Sequence, residues 1–158
     1  MSVFRRGVRL GIDVGRARIG VSRCDPDGLL AVPVETVPRN DDSIARLTQL
    51  ATEYEPIEIV VGLPINMRGE DTESTTDARA FAETLAEATS RPVRLVDERL
   101  STVSAHQALR ASGRTQRGSR GIVDQVAAVV LLQHAVDTEK STGTPTGTLV
   151  TLDEETPR

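Results

Sequence analysis

The stretch from residue 8 to residue 23 constrains the fold more than any other. Two apolar runs, Val8-Arg9-Leu10-Gly11-Ile12-Asp13-Val14 and Arg18-Ile19-Gly20-Val21-Ser22-Arg23, are separated by Gly15-Arg16-Ala17 alone. Parallel strands need a crossover of about a dozen residues or more, so this link permits only an antiparallel hairpin. The hairpin carries a carboxylate, Asp13, between two glycines, and Gly15 lets the backbone approach a ligand closely. Taken alone, such a turn is unremarkable in a hairpin.

The remaining pattern extends that hairpin into a sheet. Residues 29–37 alternate well enough for a third strand, after a turn at Asp25-Pro26-Asp27-Gly28. Asn40 or Asp41 is placed to cap a helix that buries Ile44, Leu47, Leu50 and Ala51. Residues 57–63 read as a fourth strand, closed by Pro64. Residues 74–89 form a helix with Ala78, Phe81, Ala82 and Leu85 on one face, and residues 93–98 a fifth strand. Strand, helix, strand at this spacing implies a right-handed parallel crossover. Two more helices are expected near 102–111 and 120–137. The prediction is an α/β fold: a mixed five-stranded sheet, three antiparallel strands then two parallel, flanked by helices. Residues 1–7 read as a flexible lead-in, 8–137 as the domain, and the Thr/Gly/Pro/acid-rich 138–158 as a disordered tail.

Composition narrows the function. At 158 residues the chain is long enough for one domain with a sizeable core. Its aromatics are Phe4, Tyr54 and Phe81, too few for a series of base-stacking platforms. Gly11, Asp13 and Arg16 interrupt any leader after Arg5 and Arg6, and no apolar run is long enough to span a membrane. The single cysteine, Cys24, excludes an internal disulfide and suits a reducing cytoplasm. A net charge of −4 argues mildly against nucleic acid, but the distribution of charge matters more than its sum. Apart from Lys140 every basic side chain is arginine, a forked donor that suits phosphate.

Three acids carry the chemistry. Asp13 closes the first strand, Glu98 the fifth, and Asp124 lies in the opening turn of the last helix. Carboxylates converging at strand ends are ligands for hard cations, and paired Mg²⁺ or Mn²⁺ ions ~3.5–4 Å apart serve many nucleases. Carboxylates ~4 Å apart repel by ~1 kcal/mol per pair even at the dielectric of water, and a divalent cation relieves this. Asp97 is a fourth candidate, although strand alternation sends it and Glu98 to opposite faces. Asp124 shares its helix face with Ala127, Ala128 and Leu131, the face expected to dock on the sheet. The plainer alternatives are a solvated strand end and a helix N-terminal acid worth ~0.3–1 kcal/mol. Arg114, Arg117 and Arg120, among glycines before that helix, read as a phosphate clamp, with Arg99 beside them. Neither His106 nor His134 has a metal partner four residues away, so a zinc site is not expected.

Four segments, GIDVGRARIGVS (11–22), VGLPINMRGE (61–70), VDERLSTVSA (96–105) and VDQVAAVVLLQ (123–133), together resemble the YqgF/RuvX family. Its members are described as pre-16S rRNA nucleases or Holliday junction resolvases. The resemblance covers roughly residues 8–137. It implies an RNase H-like fold and a metal-dependent active site at Asp13, Glu98 and Asp124, with 5′-phosphate and 3′-hydroxyl products. Ser101 stands where the family often has Thr, and Arg68 where it often has an acidic or small residue. The expected partner is structured nucleic acid, either pre-rRNA or branched DNA, and the expected state is a monomer or weak homodimer. Junction resolution is the close alternative and needs a two-fold dimer. More distant readings are an actin-like ATPase, for which the chain is too short, and a non-catalytic RNA- or ribosome-binding module.

Overall fold

A computed structural model of the chain describes residues 4–100 and 120–152. The hairpin forms as its short link requires: β1 (Arg9–Val14) pairs antiparallel with β2 (Arg18–Cys24), Leu10 opposite Arg23 and Val14 opposite Ile19. β3 (Ala31–Pro38) continues the meander. After α1 (Ser43–Tyr54), β4 (Glu58–Leu63) pairs parallel with β1. After α2 (Glu73–Thr89), β5 (Val93–Asp97) pairs parallel with β4. A 3-10 turn (Glu98–Leu100) follows, and α3 (Arg120–Thr142) closes the fold.

Among the described residues the sheet has six strands, in the order β3-β2-β1-β4-β5-β6, one more than predicted. The sixth, β6 (Thr148–Leu149), pairs antiparallel with β5. It is held by main-chain bonds, Val150 donating to the Val93 carbonyl, so a two-residue strand left no side-chain pattern to read. The expected tail is also corrected at its start. α3 runs on to Thr142, and Glu139 is buried within it. The expected helix at 102–111 lies outside the described residues.

Each face of the sheet has its own core. Leu10, Ile12, Ile19, Val21, Ile59 and Val61 pack under α1 and α2, against Leu47, Ala78 and Leu85. Burying each large aliphatic side chain is worth ~1.5–3 kcal/mol. Val60, Val96 and Cys24 turn the other way and meet Ala127, Leu131, Leu132 and Ala135 of α3. Cys24 is fully buried there, which removes it as an exposed cross-linking thiol, and burial raises its pKa. The caps differ from expectation at α1. Asp42 stands at the N-cap without a side-chain bond, while Asn40 Oδ1 accepts from the Asp42 N–H before the helix begins. α2 opens with a reciprocal box in which Thr72 and Thr75 each bond the other's backbone N–H.

α3 lies unusually close to the hairpin because glycines face it. A Cβ on Gly11 would come within 2.8 Å of Leu132 Cβ, and one on Gly20 within 2.1 Å of the Asp124 carbonyl oxygen. That approach lets the buried Ser22 hydroxyl donate to the Ala128 carbonyl at 2.8 Å.

The N-terminal ends of the parallel strands are tied by buried charge. Glu139 accepts from Arg5 Nε at 3.0 Å, Arg5 Nη2 at 2.8 Å and Arg9 Nη2 at 3.2 Å. Glu58 accepts from Arg5 and Arg94, and Phe4 lies under the Arg9 guanidinium. Buried charges persist in proteins when they are paired in this way.

Candidate active site

Sheet parity decides which side chains share a face. Asp13 stands opposite Gly20, and Gly20 faces α3, so Asp13 faces α3 as well. The β1–β4 register runs Gly11 to Val60 and Ile12 to Val61, which brings Asp13 level with Gly62. Val60 and Val96 also face α3. Gly62 and Glu98 continue their alternation at the C-terminal ends of β4 and β5.

Glu98 is not the last residue of its strand, as predicted, but the first of the 3-10 turn. Its side chain folds back over the sheet. A Cβ on Gly62 would stand 2.6 Å from Glu98 Oε2, so the bare glycine makes the space the carboxylate occupies. Asp124 comes from the early part of α3. Its backbone sits on Gly20, and its Oδ2 accepts from Arg18 Nε at 2.9 Å.

The three acids therefore share one face of the sheet, at the end where β1, β4 and β5 finish. They are 5 % (Asp13), 5 % (Glu98) and 3 % (Asp124) exposed, and each has bonded or electrostatic partners. Among the described residues no group of three or more His, Cys, Asp or Glu side chains is arranged to hold a metal ion. The donor chemistry nevertheless suits a hard divalent cation: the donors are buried carboxylate oxygens. Among the described residues, the guanidinium of Arg18 is a cationic group in contact with Asp124.

The other candidates are more scattered. Asp97 falls on the α1/α2 side by parity with Leu95, and it binds Arg99 through Nε and, at 2.7 Å, through Nη2. The Arg99 side chain holds the Asp97 carboxyl below its usual range. Arg99 is exposed, with its guanidinium beside Gly69 of the loop after β4. Arg68 projects from that loop, where Asn66 Oδ1 accepts from the Arg68 and Glu70 N–H groups. Arg114 and Arg117 lie outside the described residues, and Arg120 is described only as the first residue of α3. Arg18 was missed by sequence reasoning. The available signal was its parity: two residues before Gly20 in β2, it shares the face of Asp13.

The profile of RuvX, described as "Holliday junction resolvase", matches residues 7–138. The chain belongs to the RuvX family. A relative from Clavibacter michiganensis subsp. michiganensis is 57 % identical over 150 residues, covering 93 % of each chain. One from Streptomyces coelicolor is 53 % identical over 147 residues, covering 91 % of this chain and 88 % of the relative. Both carry the name "Putative pre-16S rRNA nuclease". Among solved structures, Thermus thermophilus RuvC in complex with a Holliday junction substrate superposes with a TM-score of 0.54 at 18 % identity. The match covers 87 % of this chain and 98 % of that one. The RuvX chain thus has the RNase H-like fold. The RuvX match contains Asp13, Arg18, Glu98 and Asp124, while Glu139 and β6 lie just past it.

Proposed function

We propose that this chain is a divalent-metal-dependent nuclease that hydrolyses phosphodiester bonds in the 5′-end processing of pre-16S rRNA. The observation that carries this reading is the placement of three buried carboxylates, from β1, the end of β5 and α3, on one face of an RNase H-like sheet. Its relatives' shared name supplies the substrate. The setting is cytoplasmic; among the described residues no helix is long and apolar enough to cross a membrane.

Asp13, Glu98 and Asp124 are the residues that would hold Mg²⁺ or Mn²⁺, as a pair of ions. Bound there, the ions supply a water of lowered pKa and charge stabilisation for the departing 3′ oxygen. The chain's own contribution is position. β1 and α3 present Asp13 and Asp124 on one face, with the Asp124 backbone seated on Gly20, and Gly62 leaves Glu98 room to reach the same face. Burial keeps these oxygens from competing solvent. Arg99, Arg114, Arg117 and Arg120 grip the flanking phosphates, which sets register without reading sequence. A triple Arg114/Arg117/Arg120 variant whose binding keeps the wild-type salt slope would dismiss that grip.

Junction resolution is the second reading, favoured by the superposition on RuvC. It requires two active sites related by a two-fold axis. The deciding experiment offers a labelled 16S precursor 5′ fragment and a labelled four-way DNA junction side by side, with Mg²⁺ or Mn²⁺ and an Asp13→Asn control. Cleavage of the RNA alone, abolished in the control, is the expected result. Symmetric cutting of the junction would make the second reading primary, and identical behaviour of control and wild type would remove both.

A further inference from the structure

Among the described residues, Arg18 is a cation in contact with Asp124. Its Nε donates to Oδ2 at 2.9 Å, a charge-assisted bond, and its side chain is 36 % exposed against 5 % for that of Asp124. The pair is built by the hairpin. Arg18 opens β2 on the same face as Gly20, Gly20 seats the Asp124 backbone, and Asp13 stands across from Gly20 in β1. Arg18, partly exposed, thus stands on the same face as the three carboxylates. A buried carboxylate without a counter-charge is costly, and this arginine supplies part of that charge.

We propose that Arg18 is a placeholder cation: it holds Asp124 ready in the metal-free chain and gives the carboxylate up when a divalent ion binds. The guanidinium, partly exposed and released beside the site, is then available to a phosphate oxygen of the nucleic acid. Arg18 is a positioning residue before the exchange and a substrate contact after it. The inference rests on Asp124 being a metal ligand, as in the function proposed above.

The test is Mn²⁺ binding to the full chain without nucleic acid, followed by calorimetry or by the signal of free Mn²⁺. Wild type, Arg18→Gln, Arg18→Lys and Asp13→Asn are compared. Removing a competing guanidinium is expected to tighten Mn²⁺ binding about tenfold in Arg18→Gln, the equivalent of ~1.4 kcal/mol. Arg18→Lys falls between, because an ammonium keeps the charge but not the fork. A merely structural Arg18 would give the opposite sign, since a loosened site binds more weakly. Cleavage by Arg18→Gln at saturating Mn²⁺ should fall at least tenfold despite the tighter metal.

The outcomes separate cleanly. Equal or weaker Mn²⁺ binding in a folded Arg18→Gln chain, with wild-type binding still dependent on Asp13, overturns the placeholder and leaves the nuclease reading standing. Tighter binding with unchanged cleavage removes the phosphate contact. Wild type that binds no Mn²⁺ through Asp13 sinks the metal-ligand reading and this inference together.

Discussion

The Glu98 carboxylate lies against the bare backbone of Gly62, so close that a methyl group there would stand 2.6 Å from Oε2 and 3.1 Å from Cγ. Those atoms end a flexible side chain, so Gly62→Ala should cost little stability, under ~1.5 kcal/mol. It should instead turn Glu98 out of its place. The expected chain has a near-native urea midpoint and at least tenfold lower cleavage. Wild-type cleavage by this variant would take Glu98 out of the active site.

Gly20→Ala should behave differently. Its Cβ would meet the Asp124 carbonyl oxygen at 2.1 Å and the carbonyl carbon at 2.5 Å. Backbone cannot swing aside as a side chain can, so α3 must lift from the sheet. A loss of ~2–3 kcal/mol is expected by urea unfolding, at the upper end of overpacking costs. A variant as stable as wild type would show that the helix does not rest on the hairpin there.

Millimolar Mn²⁺ should raise the melting temperature of the wild-type chain, because ions that bind only the folded state stabilise it by mass action. A gain of ~1 kcal/mol corresponds to a few degrees in a domain of this size. Asp13→Asn should lose most of that gain. Equal shifts in both chains would place the metal elsewhere.

Acid should weaken the other end of the sheet. Burial raises the Glu139 pKa, but bonds from the Arg5 side chain and backbone, with the Arg9 charge, outweigh it and hold the carboxyl at about 2 instead of 4.5. A carboxylate with a depressed folded pKa adds stability that is complete above its unfolded value and is lost as pH falls through the folded one. The window therefore runs from about pH 4.5 down to about 2, and the amount at stake is on the order of 3 kcal/mol. Urea titrations at several pH values should show wild type weakening across that window. Glu139→Gln should be weaker already at pH 6 and flatter below it. Parallel pH curves for the two chains would assign the acid sensitivity to other groups.

Much of this architecture was legible from local pattern. The three-residue link forced the hairpin, alternation marked β3, and the apolar face of residues 74–89 marked α2. Asp13, Glu98 and Asp124 stood out in the sequence because each sits where a strand or helix begins or ends. Glu139 escaped because an acid among Thr, Gly and Pro reads as solvated chain, and its partner Arg9 is 130 residues away. Arg18 escaped for the same reason, 106 residues from Asp124. Long-range charge pairing leaves no periodicity, whereas burial of a strand or helix face does.

The tie between Arg9 and Glu139 also sets an order of events during synthesis. Arg9 lies in the first strand and is 1 % exposed, yet its carboxylate partner is made 130 residues later. Until the ribosome has released that part of α3, a nascent chain that buried Arg9 would leave a guanidinium without its counter-charge. The α3 core that covers the sheet is missing for the same interval. The domain should therefore stay open while the hairpin, α1 and α2 emerge, and close in a late step when its last long helix arrives.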